Sequence, residues 1–170
     1  MSFIIGIGGV SRSGKSSLAQ KIKDRLSDRQ VLLLDMDDFV FSASDIPKIN
    51  GKTDWERPES VDFNQILSEV QNSRRNYDII VVEGILAFAN DALRSGYDLT
   101  IQIQLSKETF LLRRKKEQRW GDEPDWYLEH VWDSYLKWGQ FQEADMQLSG
   151  EEELSESLLS SLIKEIISRQ

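Results

Sequence analysis

Cysteine is absent from the 170 residues, which removes any disulfide framework, thiol nucleophile or thiolate-bound metal. A single histidine, His130, leaves too few ligands for an all-protein zinc cluster. Long apolar runs are missing too. The longest aliphatic stretches, residues 31–34 and 79–82, have strand length and fall far short of the ~18 residues of a spanning helix. The apolar segment at residues 3–10 has no preceding positive charge and runs into Ser11, Arg12 and Ser13, so it does not read as an export leader. Basic charge is also scarce: 21 Lys and Arg against 29 Asp and Glu give a net charge of −8, which argues against broad nucleic-acid binding. With 39% apolar residues the chain fits neither a disordered tail nor a collagenous repeat. What remains is a soluble, cytoplasmic protein with no nucleic-acid or membrane partner, working through oxygen and nitrogen groups. Its length predicts one domain over residues 1–170.

The chain alternates strand and helix signals. A β-branched block at residues 3–7 ends in glycines, and residues 15–26 then carry Leu18, Ile22 and Leu26 at helical spacing. Residues 31–35 and 79–82 are continuous apolar runs, as expected of parallel strands buried on both faces, and residues 99–105 add a fourth strand. Four strands separated by helices predict an α/β fold around a parallel sheet. Asp62 with Gln65 forms a capping box, stapled by Val61 and Ile66, that starts a helix at Phe63. Ser106 caps the next helix, with Leu105 and Phe110 stapling it. Residues 125–141 form an aromatic-rich helical pattern in which His130, Trp132, Tyr135 and Trp138 read as a packed face. Leu154, Leu158, Leu162 and Ile166 mark a last helix behind a Ser149/Glu152 box. Residues 42–60 are polar, hold Pro47, Gly51 and Pro58, lack periodicity and read as a long loop.

Chemistry concentrates between the first strand and the first helix. Gly9, Gly14, Lys15 and Ser16 satisfy G-x-x-x-x-G-K-[ST] in the context that motif requires. Glycines let the backbone curl so that successive N–H groups turn inward, and the helix directs its positive end at the same point. Gly9, Ser11, Arg12, Ser13, Gly14, Lys15, Ser16 and Ser17 are therefore the expected nucleotide-binding residues. Lys15 adds a point charge for the terminal phosphates, and the Ser16 hydroxyl suits the Mg²⁺ that accompanies a nucleotide. Asp35, Asp37 and Asp38 follow one strand, and Glu83 follows another, at the carboxyl edge where open α/β sheets bind ligands. Asp35 reads as a strand terminator, Asp37 and Glu83 as functional, and Asp38 as either. The Asp-x-x-Gly and Asn-Lys-x-Asp elements of GTP switches occur nowhere in the chain.

Several blocks in order resemble the nicotinamide riboside kinase and uridine kinase group of P-loop kinases. They are residues 6–18, Asp37-Asp38-Phe39, residues 55–60 with Asp62, residues 79–88, the basic helix ending at Arg119, and residues 130–137. The resemblance implies a P-loop NTPase fold, a three-layer sandwich with a central parallel sheet and a small helical lid, with a substrate loop over about residues 41–62 and the lid over about 113–126. It implies ATP and Mg²⁺, and transfer of the γ-phosphoryl group to the 5′-hydroxyl of a ribonucleoside, nicotinamide riboside ahead of uridine, cytidine or another small alcohol such as pantothenate. On the matching positions Asp37 is the catalytic base, Lys15 and Arg119 are catalytic cations, Ser16 and Glu83 serve the metal, and Asp37, Trp55, Glu56 and Lys116 meet the substrate. Two positions depart: Glu56 stands where the family usually has aspartate on the ribose diol, and Lys116 where arginine is commoner. Trp55 reads either as a stacking platform or as a loop anchor, and Arg113 and Arg114 either as lid groups or as a solvated face paired with Glu108 and Glu117.

Overall fold

The computed structural model describes residues 2–117 and 121–170. Strand β1 (Phe3–Gly9) is buried along its whole length. Its alternating side chains feed two cores: Phe3, Ile5 and Ile7 face one helical layer and Ile4 the other. Helix α1 (Lys15–Arg25) follows, then β2 (Val31–Asp35), a short antiparallel pair β3 (Lys48–Ile49) and β4 (Lys52–Thr53), and helix α2 (Phe63–Ser73). Strand β5 (Ile79–Gly84), the single-turn α3 (Asp91–Arg94), β6 (Leu99–Gln104), α4 (Lys107–Lys116), α5 (Asp125–Ser134), β7 (Met146–Ser149) and α6 (Glu156–Arg169) complete the order.

The main sheet runs β2-β5-β1-β6-β7 with every neighbouring pair parallel. Leu18 and Ile22 of α1 and Leu26 at its C-cap pack with Leu162 and Ile166 of α6 on one face, and Ile66 and Val70 of α2 pack with Leu93 of α3 on the other. The result is the expected three-layer α/β sandwich. A third cluster, Val10, Leu105, Phe110, Tyr127, Val131 and Tyr135, joins α4 and α5 to the end of β1.

Caps behave as the sequence implies at two of three helices. The Asp62 side chain accepts the Gln65 amide and the Ser106 hydroxyl accepts the Thr109 amide, each worth roughly 1 kcal/mol. The last helix differs. Ser149 ends β7, and the cap of α6 is Ser155, which accepts the Leu158 amide. β7 is a short edge strand with only alternate residues partly buried, so its pattern is too weak to announce a fifth strand. The pattern over residues 125–141 also divides: α5 ends at Ser134 and a π-type turn carries Tyr135–Gly139. The stretch read as unstructured loop holds β3, β4 and a 3-10 turn at Pro58–Ser60.

Candidate active site

Register sets the site. Glu83 lies beside Asp35 on one flank and Ile7 on the other, so the carboxyl ends of β1, β2 and β5 open at one level. From β1 the chain curls through Gly9 to Gly14. A Cβ on Gly9 would fall 2.6 Å from Ser13 Oγ and 2.8 Å from the Ile103 carbonyl, so only glycine fits this approach. Gly14, at φ 101°, caps α1 in the left-handed region, and Arg12 adopts φ 66° within the same curl. The Ser13 hydroxyl is buried and without a hydrogen-bond partner among the described residues. An inward-turned loop with an orphaned donor is a fitting cradle for a phosphate oxygen.

Lys15 is buried, and its Nζ donates to the Val10 carbonyl at 3.2 Å. Burial lowers its pKa, opposed by the charges of Glu83, Asp37, Asp35 and Glu56. The Ser16 hydroxyl donates to Glu83 Oε1 at 2.5 Å. That hydroxyl and carboxylate form a sparse oxygen donor set suited to Mg²⁺, which keeps several waters. Among the described residues no cluster of three or more acidic or histidine side chains forms a denser metal site.

Asp35 and Asp37 differ in what their carboxylates bond. Asp35 Oδ1 accepts the Asp37 amide at 2.9 Å, capping the 3-10 turn that presents Asp37. Asp37 is exposed to solvent, yet neighbouring atoms partly desolvate its carboxyl and Asp35 repels it, so its pKa rises despite Lys15 and Arg114. Glu83 rises as well, through burial, with Lys15 and the Ser16 hydrogen bond opposing. Asp38 is exposed beside them.

Glu56 is buried at 7% exposure, and its pKa is pushed up to about 7 by burial, with Arg114 acting against it. The Tyr127 hydroxyl points at its Oε1 from 3.5 Å; burial and Glu56 itself raise the phenol pKa and keep it a donor. Trp55 next to it is 41% exposed, so it does not anchor the loop in the core. Anchoring falls instead to Ser60, whose hydroxyl bonds the Trp55 and Arg57 carbonyls at 2.8 and 2.7 Å.

Helix α4 brings a cation the sequence left open. Arg114 makes a two-point pair with Glu123, at 2.7 and 3.0 Å, and reaches Ser11 Oγ at 2.5 Å. Its charge acts on both Glu56 and Asp37. Arg113 bonds the carbonyls of Arg12 and Glu151, and Arg12 pairs with Glu117 at 2.9 Å, contacts that tie this face to the phosphate loop rather than leave it to solvent. Lys116 is exposed at the last position of α4, and Arg119 lies outside the described residues. Beside the phosphate loop a cavity of about 290 Å³ is lined by Ser13, Gly14, Ser17, Arg113 and the segment around Gly150. Asp54, Tyr127, His130 and Arg114 are the neighbours that spacing alone did not assign. Tyr127 and His130 stand one helical turn apart on α5, a signal that could have paired them.

The sheet order, the glycine curl into α1 and the oxygen-rich cleft define the fold of the P-loop kinases. Solved structures with this fold include a possible uridine kinase from Bacillus stearothermophilus (TM-score 0.60, 17% identity, 86% of this chain and 88% of that one). Shikimate kinase from Aquifex aeolicus is another (TM-score 0.53, 21% identity, 98% and 95%). In sequence the chain is 29% identical to nicotinamide riboside kinase 1 of Homo sapiens over 159 residues, 82% of this chain and 77% of that protein. It is 27% identical to the uridine kinase of Borrelia garinii over 168 residues, 83% and 80%. No family model matches the chain. It is thus a relative of small-molecule P-loop kinases. No helix among the described residues is long and apolar enough to cross a membrane.

Proposed function

We propose that the protein is an ATP-dependent kinase that phosphorylates the 5′-hydroxyl of a ribonucleoside, with nicotinamide riboside the first acceptor to try. The observation that carries this reading is that β1, β2 and β5 end at one level, so that the Ser16–Glu83 hydrogen bond in the first turn of α1, next to Lys15, and the Asp35-capped turn presenting Asp37 stand at the same sheet edge. A group able to accept a hydroxyl proton thus shares that edge with a group able to hold terminal phosphates. The raised pKa of Asp37 brings its proton affinity closer to neutrality, the direction that suits a general base.

In this reading Gly9 to Gly14 wrap the phosphates, and the Ser13 hydroxyl gains its missing partner. The base of the nucleotide occupies the cavity between Arg113 and Gly150. Ser16 and Glu83 hold Mg²⁺, which when bound neutralises charge on the phosphate oxygens. Asp37 takes the proton as the acceptor oxygen bonds to the γ-phosphorus, and the bond from that phosphorus to the β–γ bridging oxygen breaks to release ADP. Arg114, already at the phosphate loop, supplies positive charge as negative charge builds on the equatorial oxygens. Arg119 and Lys116 are lid candidates for the same task. Glu56 takes the sugar hydroxyls and Trp55 stacks on the base, where a flat indole suits a cationic ring.

A panel of nicotinamide riboside, uridine, cytidine and pantothenate with Mg-ATP, scored by ADP release, tests the proposal. Nucleoside-dependent turnover above the ATP-only background is expected. Turnover with pantothenate alone would move the acceptor to another alcohol, and ATP binding with no acceptor-dependent turnover would make the chain a non-catalytic nucleotide-binding module.

A further inference from the structure

His130 is the chain's one histidine, and it is tied to the loop that carries Trp55 and Glu56. Its Nε2 lies 2.8 Å from Asp54 Oδ1, across 76 positions of sequence. The same oxygen accepts the backbone amide of Glu56 at 3.3 Å. Asp54 is buried at 5% exposure, and its own amide is fixed on the Pro47 carbonyl at 2.9 Å. One carboxylate oxygen thus links a helix to the peptide that carries Trp55 and Glu56. A carboxylate acceptor selects the tautomer with the proton on Nε2. The neighbouring contact repeats the pattern: Tyr127, one turn before His130, faces Glu56, and the two rings lie 6.1 Å apart. Helix α5 therefore meets the loop twice, His130 with Asp54 and Tyr127 with Glu56.

The link has a mechanical consequence. Residues between Asp54 and Ser60 are pinned at the far end by the Ser60 hydroxyl on the Trp55 and Arg57 carbonyls. At the near end the pin is Asp54, whose carboxylate is steadied by His130. Trp55, largely outside the core, relies on these two pins for its orientation. Losing the near pin would free the Trp55–Glu56 peptide while leaving Lys15, Ser16, Asp37 and Glu83 in place.

We propose that His130 is a positioning residue: through Asp54 Oδ1 it holds the Trp55–Glu56 segment in the orientation that receives the acceptor. This rests on the acceptor role given above to Trp55 and Glu56. The test is steady-state kinetics of His130→Ala, Asp54→Ala, the double variant and His130→Gln, whose amide can still donate. Each alanine variant is expected to raise the acceptor KM by roughly tenfold, the scale of one lost hydrogen bond to a charged group, with kcat and the ATP KM within about twofold. The double variant should be no worse than the more severe single one, since both break the same link, and His130→Gln should recover part of the loss. A general loosening of the fold would instead disturb both substrates and would not respond to glutamine. An unchanged acceptor KM in both alanine variants, or effects that multiply in the double variant, would overturn the proposal. If the wild-type protein turns over no nucleoside, the functional reading fails, and hydrogen exchange at the Glu56 amide then decides the positioning claim. Faster exchange in His130→Ala supports it, and unchanged protection overturns it.

Discussion

At the amino end of the sheet, Asp78 accepts the Gln30 amide and Asp98 the Ile4 amide, both at 2.8 Å, so these carboxylates are committed to the backbone of the neighbouring strand segments. Arg169 in the last turn of α6 bonds Glu165 and Asp145, a position where a cation complements the negative end of a helix. At the carboxyl end Asp35, Asp54 and Glu151 accept backbone amides in the same way. Asp37, Glu83 and Glu56 are left with raised proton affinities around a buried lysine. Size does not separate the two ends, since the amino end holds a groove of about 540 Å³ and the phosphate-loop cavity is about 290 Å³. What separates them is how far each charge is satisfied by its own fold. Charges settled locally stabilise the fold, and charges left under tension in a cleft can respond to a ligand.

The sharpest way to break this comparison is at Asp37. Asp37→Asn keeps size and polarity and removes the proton acceptor, so kcat should fall by ~10²-fold or more while ATP affinity, measured by titration, stays near wild type. A near-normal kcat would move the base elsewhere.

Next in size is Glu56, where burial is opposed to ionisation. Its folded pKa of about 7 lies above the ordinary 4.5, so between those values the folded state keeps a proton the unfolded chain has released. Stability from this group is therefore full below the ordinary value and is lost as pH rises through about 7. Glu56→Gln does not titrate, and relative to wild type it should gain on the order of 2–3 kcal/mol between pH 4 and pH 8. Melting curves of both proteins at the two pH values check this. An equal Tm difference at both would mean Glu56 ionises as freely as an exposed carboxylate.

Legibility follows the same division. Continuous apolar runs announced β1, β2, β5 and β6 because strands buried on both faces leave little choice of residue, and the phosphate loop was readable because a tight backbone curl demands glycine at Gly9 and Gly14. β7 escaped because an edge strand buries only every second side chain, and the Ser149/Glu152 pair looked like a cap when a better-placed Ser155 existed six residues later. In the site, Asp37 and Glu83 could be proposed from their place at the carboxyl ends of strands. Asp54, His130 and Arg114 could not, because their meaning lies in contacts across 76 and 103 positions. Sequence spacing records faces of one element; it carries no direct record of which two elements meet.

A smaller effect is expected at Trp55. Stacking acts in ground and transition states alike, so Trp55→Ala should raise the nucleoside KM by roughly three- to tenfold and leave kcat close to wild type. An unchanged KM, measured across the same acceptor panel, would remove the indole from the acceptor site.

The smallest effect belongs to the amino end, where the comparison makes its complementary claim. Arg169 bonds Glu165 at 2.7 Å and Asp145 at 3.3 Å, but its side chain is 36% exposed, so solvent and salt screen both pairs. Arg169→Ala should lower stability by less than about 1 kcal/mol, summing the helix-end and ion-pair contributions, and the difference should shrink further in high salt. It should leave every kinetic constant unchanged, because no strand or helix transmits a vacancy at α6's end to the phosphate loop without first loosening the Leu162 and Ile166 core. Parallel melts at low and high salt with kinetics on the same preparations test this. A kinetic defect without a matching loss of stability would show that the arginine end is coupled to the cleft, and the division of labour drawn between the two ends would fall.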